Sequence, residues 1–274
     1  MADPADRLLV ALDVESLERA TAMLDTLSGV VTGCKIGNQL FTAAGPAAIE
    51  AARKRGFRVF LDLKYHDIPN TVAGAVREAT RLGVFMMNVH ASGGFAMMQA
   101  AAEAATKAAK DFTLPRPIVL GVTVVTSLDR RALDAELGIT STVEAHVLRL
   151  ATLAKTAGLD GCVASAREIG PLRLQLGKKF VIVTPGIRLA RGGDHGPGRA
   201  PSAEGGLGGS RALSVEGGLG GSGTGPPSLD DQVRTATAAA AIEAGADYIV
   251  VGRPITAATN PKAAANALLE EMRG

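Results

Sequence analysis

The stretch DLKYHDIPNT, residues 62–71, carries Asp62, Lys64, His66 and Asp67 within six residues, directly after the apolar run RVFL. Such a run reads as a buried strand, where an unpaired charge is very costly. Side chains on a strand alternate faces, so Asp62 and Lys64 share one face while Leu61 and Leu63 take the other. Each then favours the other's charged form. An ammonium fixed beside a carboxylate is a proton donor in an electrostatic frame, suited to a reaction in which negative charge develops.

Other reactive side chains also fall where apolar runs end. Asp13 closes LLVALD, Lys35 lies near the end of VVTGCKIG, and Asn88 and His90 close VFMMNVHA. Thr126 and Ser127 follow GVTVV, Pro185 and Arg188 follow FVIVT, and Gly252 and Arg253 follow YIVV. Each taken alone has an ordinary structural role: Asp13 as a helix cap, Lys35 in a rim ion pair, His90 as a hydrogen-bonded ring. Asp13, Asp62, Asp67 and His90 together would suit a divalent ion, but Lys35 and Lys64 interleaved among them compete with it, so no metal is expected.

These residues must be held by a repeating scaffold. Eight runs read as strands: 8–13, 30–37, 58–64, 84–91, 117–126, 161–165, 180–187 and 248–252. They are apolar on both faces and rich in β-branched residues, as parallel strands covered by helices are. Ala-rich stretches between them read as helices at 16–27, 71–82, 95–109, 142–157 and 232–244. Several helical stretches stop just before Gly56, Gly83, Gly158 or Gly245, the residue type that best ends a helix. Eight strand–helix units predict an α/β fold, a single-domain (β/α)₈ TIM barrel spanning 1–274. A doubly wound open sheet is the alternative, but ALDVES after the first strand is not a Gly-rich dinucleotide loop. In a barrel, the chemistry sits at the C-terminal ends of the strands, and loops after strands 7 and 8 often hold phosphate. Arg188 and the Gly252–Arg253 pair lie there, so a small phosphorylated substrate is expected.

Residues 190–229 break the pattern. Gly, Ser and Pro dominate, and EGGLGGS occurs twice. This composition cannot bury enough apolar surface to order itself. It reads as a flexible insertion in the loop after strand 7, between Arg188 and Gln232.

Composition excludes several classes. Of 274 residues, 47% are hydrophobic and 20% charged, with a formal net charge of +2 and no dense Lys/Arg stripe, which argues against a nucleic-acid partner. No apolar run approaches the roughly 20 residues a membrane span needs. The polar, acidic N-terminus is unlike a signal peptide. The only cysteines, Cys34 and Cys162, lie in separate apolar runs and read as buried free thiols of a cytoplasmic protein.

The motifs ALD, KIG, DLKYHDIPNT, NVHASGG, VTVVTSL, VTPGIR, DQVR and YIVVGRPI occur in an order that resembles the orotidine 5′-phosphate decarboxylase family. The resemblance implies decarboxylation of orotidine 5′-monophosphate to UMP, with no metal and no organic cofactor. It implies that Asp13 and Lys35 hold the ribose hydroxyls and that Lys35, Asp62, Lys64 and Asp67 form the catalytic charge network. Lys64 would protonate C6 of the pyrimidine while Asp62 sits against the departing carboxylate. Asp67, with Ile68 and Thr71, would reach a neighbouring subunit's site, which implies a homodimer. Thr126 would contact the pyrimidine, Pro185 and Gly252 would line the substrate, and Arg188, Gln232 and Arg253 would bind the phosphate. The long insertion departs from the family's shorter loop and separates Arg188 from Gln232. Two other readings stand beside this one: a Mg²⁺-dependent phosphosugar lyase of the same superfamily, which the DIPNT tail disfavours, and a nucleotide-binding barrel whose closure the insertion has disabled.

Overall fold

The computed structural model describes residues 3–189 and 235–273. The expected insertion and Gln232 lie outside them. Among the described residues, eight parallel strands close on themselves in the order β1-β10-β7-β6-β5-β4-β3-β2. They are β1 (Leu8–Ala11), β2 (Gly33–Gly37), β3 (Arg58–Tyr65), β4 (Met86–His90), β5 (Ile118–Val122), β6 (Gly161–Val163), β7 (Val181–Thr184) and β10 (Tyr248–Val251). β8 (Ile187–Arg188) and β9 (Ala236–Thr237) form a separate two-stranded ladder. The open-sheet alternative is excluded because β1 pairs on one side with β10 and on the other with β2.

The helices form for local reasons legible in the chain. Ser16 caps Leu17–Leu27 by accepting from Arg19 N, and Thr142 caps Val143–Thr156 by accepting from Ala145 N. Pro69 starts the helix Pro69–Arg81, where its missing N–H costs nothing. Gly56, Gly83, Gly158 and Gly245 all take positive φ after their helices.

Two expectations about elements change. The run 180–187 is not one strand: Pro185 has no N–H for a ladder and Gly186 turns with φ 78°, so the chain leaves the barrel after Thr184 and resumes as β8. In place of a helix over 232–244, the described part of that range holds β9 and then a helix over Ala238–Glu243. Thr237 caps it by accepting from Ala240 N, which fixes the start.

One apolar layer lies between strands and helices and contains most of the buried side chains. A second fills the barrel itself, with Leu9, Phe60, Met86, Leu120, Val183 and Val250. The interior is therefore a packed plug, and the polar residues sit on its C-terminal side. The opposite end is stitched by charges to backbone: Asp160 accepts from Val119 N at 2.8 Å, and Asp247 accepts from Ile182 N at 2.7 Å.

Candidate active site

Beyond the plug, the inward positions of β2 and β3 turn from apolar to charged. Ala11 lies opposite Lys35, Lys35 opposite Phe60, and Gly37 opposite Asp62. Lys35 Nζ lies 2.9 Å from Asp13 Oδ1 and 3.3 Å from Asp62 Oδ2. Asp62 turns its other oxygen, Oδ1, to Lys64 Nζ at 2.7 Å. The result is one unbroken chain, Asp13–Lys35–Asp62–Lys64, drawn from β2, β3 and the segment after β1, and formally neutral. A side chain at position 37 would intrude on it, because a Cβ there would lie 3.0 Å from Lys35 Nζ and 3.2 Å from Asp13 Oδ1.

The chain runs from solvent inward and out again. The Asp13 side chain is 56% exposed, those of Lys35 and Asp62 11% and 12%, and that of Lys64 30%. Burial works against the Lys35 charge, but Asp62 and Asp13 outweigh it and hold its pKa above the ordinary lysine range. The Lys35 ammonium stands between the Asp13 and Asp62 carboxylates. Among the described residues, no group of three or more His, Cys, Asp or Glu is arranged to hold a metal ion.

Alternation alone places Asp62 and Lys64 on one face, but the geometry is less regular than that. The β3–β4 register runs Phe60↔Met86 and Leu61↔Met87, then resumes at Tyr65↔Val89. β3 thus advances four residues while β4 advances two, so the charged stretch forms a bulge. Within it Lys64 has φ 52°, a left-handed conformation rare outside glycine. Asn88, fully buried on β4, holds both parts. Its Oδ1 accepts from Lys64 N at 2.8 Å, and its Nδ2 donates to Asp62 Oδ1 at 2.7 Å. The sequence marks Asn88 only as a polar residue at a strand end. The available signal is a fully polar amide in an otherwise apolar strand.

The remaining expected site residues among those described fall at the same end of the barrel without joining the chain of charges. Asp67 is exposed, and its Oδ1 accepts from Ile68 N at 2.6 Å. Ile68 is 66% exposed, and Thr71 is exposed in the first turn of the following helix. Thr126 lies past the end of β5, half-buried, and Pro185 directly follows β7. Arg188 is exposed on β8. Gly252 follows β10, with its Cβ position 3.8 Å from Asp13 Oδ2, and Arg253 opens the next short helix. Gln232 lies outside the described residues. His90 stacks obliquely on His66, ring centroids 5.4 Å apart, at the rim of the same mouth.

No helix among the described residues is long and apolar enough to cross a membrane. Comparison with known proteins bears on the family. The chain is 48% identical to an orotidine 5′-phosphate decarboxylase of Moorella thermoacetica over 97% of its own length and 92% of that protein's. It is 44% identical to one from Vibrio cholerae, covering 96% of this chain and 95% of the other. Among solved structures, the orotidine 5′-phosphate decarboxylase of Lactobacillus acidophilus superposes with a TM-score of 0.74 at 32% identity, covering 98% of this chain and all of that one. The family model described as "Orotidine 5'-phosphate decarboxylase / HUMPS family" matches residues 6–218 and 221–268. With the chain of charges at the mouth of a closed barrel, these matches show that the protein belongs to the orotidine 5′-phosphate decarboxylase / HUMPS family.

Proposed function

We propose that this chain decarboxylates orotidine 5′-phosphate to UMP, the closing step of pyrimidine nucleotide synthesis. The observation that carries the reading is the Asp13–Lys35–Asp62–Lys64 chain, with contacts of 2.7–3.3 Å. The names of the relatives supply the substrate.

In this reading the C6–carboxyl bond breaks, CO₂ leaves, and its bonding electrons stay on C6 as a vinyl carbanion with no conjugated sink. Lys64 stabilises that charge and transfers a proton from its ammonium to C6, then recovers one from solvent. Asp62 keeps Lys64 charged and placed, and its own carboxylate faces the departing group. Lys35 and Asp13 anchor the far side of the network and meet the ribose hydroxyls. Thr126 and Pro185 line the pyrimidine. Arg188, Gln232, Gly252 and Arg253 bind the phosphate, whose binding energy is realised at the reacting carbon. Asp67, Ile68 and Thr71, exposed beside the mouth, complete a second copy's site in a homodimer. No metal or organic cofactor takes part. A cytoplasmic location fits Cys34 and Cys162, free thiols whose pKa burial pushes up to about 12.

The test is loss of orotidine 5′-phosphate absorbance with and without EDTA, in wild type, Lys64→Ala and Asp67→Ala. Turnover that resists EDTA and disappears in Lys64→Ala is expected. No loss of orotidine 5′-phosphate, with Mg²⁺-dependent turnover of a phosphosugar that EDTA abolishes, would instead assign the chain to the phosphosugar-lyase side of the family. Mixing the Lys64→Ala and Asp67→Ala chains should restore activity, since one site of each mixed dimer then has both residues. Failure of the mixture to recover would refute the shared site.

A further inference from the structure

We propose that Asn88 is a positioning residue for the decarboxylation, fixing both the bulged backbone of Lys64 and the rotamer of Asp62. The inference rests on the reading that Lys64 is the proton donor. Asn88 does not face the substrate; it acts through its two neighbours.

The hydrogen-bond chemistry allows one arrangement only. A backbone N–H can only donate, so the Asn88 atom facing Lys64 N at 2.8 Å is the carbonyl Oδ1. That leaves Nδ2 to face Asp62, whose carboxylate can only accept, at 2.7 Å. The bulge leaves the Lys64 N–H facing this side chain where a ladder partner would otherwise stand. A left-handed backbone is unfavourable for a non-glycine residue, and Lys64 adopts one at φ 52°. An unmade bond at its partly buried N–H would add to that cost. Asn88 supplies that bond. Its amide also occupies the Asp62 oxygen that holds the Lys64 ammonium, so one group sets both ends of the donor pair. The ammonium is therefore placed from behind, by a residue remote from its own strand in sequence. Aspartate, leucine or serine at position 88 breaks this arrangement in different ways.

The surroundings make the test specific. From β3, position 88 faces Asp62 and Lys64, and Lys35 lies beyond Asp62. His90 lies two residues along its own strand, with His66 stacked on it, and β5 places Leu120 opposite. In Asn88→Asp, a protonated carboxyl reproduces both bonds, accepting from Lys64 N and donating to Asp62. Once ionised it cannot donate, and it repels Asp62. The kcat of Asn88→Asp should therefore fall as pH rises, along a limb that wild type lacks and Asn88→Ser lacks. In Asn88→Ser, whose hydroxyl is too short to bridge both partners, kcat should fall about 100-fold, the scale of a misplaced reacting group. KM, set largely by the distant phosphate, should change little. Melting curves measured across the same pH range identify any loss due to unfolding.

Equal kcat in wild type and Asn88→Ser would overturn the proposal. So would a loss in Asn88→Asp that does not depend on pH, or one that tracks the melting curve. Lys64→Ala is run alongside. If it keeps its activity, the proton-donor reading itself fails; if it is dead while Asn88→Ser is fully active, only the role of Asn88 fails.

Discussion

His90 sits half-buried at the rim of the barrel mouth, and its burial, His66 and the Lys64 ammonium all depress its pKa below the ordinary histidine value, with Asp62 opposing them. The folded state thus takes up a proton there less readily than the unfolded chain. Where the unfolded state binds more protons, stability falls as pH falls. The contribution is fully present above the unfolded value of about 6.5 and is lost as pH drops toward the depressed folded value. Between pH 7 and pH 5, therefore, wild type should lose more melting temperature than His90→Gln. Parallel melting curves for the two proteins would refute this. Lys35 behaves in the opposite sense. Its raised pKa gives stability that is present below about pH 10 and is lost only at higher alkaline pH.

At the scale of the element, glycine has two meanings in this fold. Gly161 opens β6, and a Cβ there would lie 2.2 Å from Val181 O and 2.6 Å from Val181 Cβ, a clash with the backbone of β7. Neither partner is a flexible side-chain end that can swing away. Gly161→Ala should therefore cost about 1–3 kcal/mol through local overpacking. Gly74 lies inside the helix Pro69–Arg81, and its Cβ position has nothing within 4 Å. There the added methyl only restricts the unfolded chain, so Gly74→Ala should stabilise by about 0.4–1 kcal/mol. Urea midpoints of the two variants must move in opposite directions; a shared direction would show that the β6–β7 approach relaxes or that position 74 is constrained by something else. β3 shows the same logic on the functional side, because its bulge is bonded to Asn88 of the partner strand through Lys64 N.

At the scale of the whole molecule, the barrel and the expected insertion are separable questions. The two ends of the described chain around residues 190–234 are joined by the β8–β9 ladder, Ile187 opposite Ala236 and Arg188 opposite Thr237. Ala236 N also donates to Gly186 O at 3.1 Å. These pairings lie in the described residues, so shortening the chain between them leaves the joint in place. Loop-closure cost changes slowly with length, about 0.6 kcal/mol per doubling. We propose that the segment 190–229 raises the KM for the phosphorylated substrate. Deleting residues 190–225 should then leave the barrel folded, keep the decarboxylation and lower KM. Unchanged kcat and KM in the deletion would show that the segment has no part in substrate binding.

Much of this protein was legible in its residues because the relevant information is local. Strand runs, capping residues, helix-ending glycines and the charges of DLKYHDIPNT lie within a few positions of the groups they act on, and their spacing carries over to the barrel directly. The proposed phosphate end was legible only as residue types, Arg188, Gly252 and Arg253, without their mutual geometry. What tertiary structure decided depends on contacts between distant segments. Barrel closure needs β1 against β10, some 240 residues apart. Asp13 could not be told from a helix cap until Lys35 came within 2.9 Å of it from the next strand. The clearest case is Lys64. Simple alternation put it beside Asp62, but its left-handed backbone is bonded to an amide 24 residues away, on a different strand. A pattern of period two cannot encode a bond whose two partners meet only when the sheet has formed.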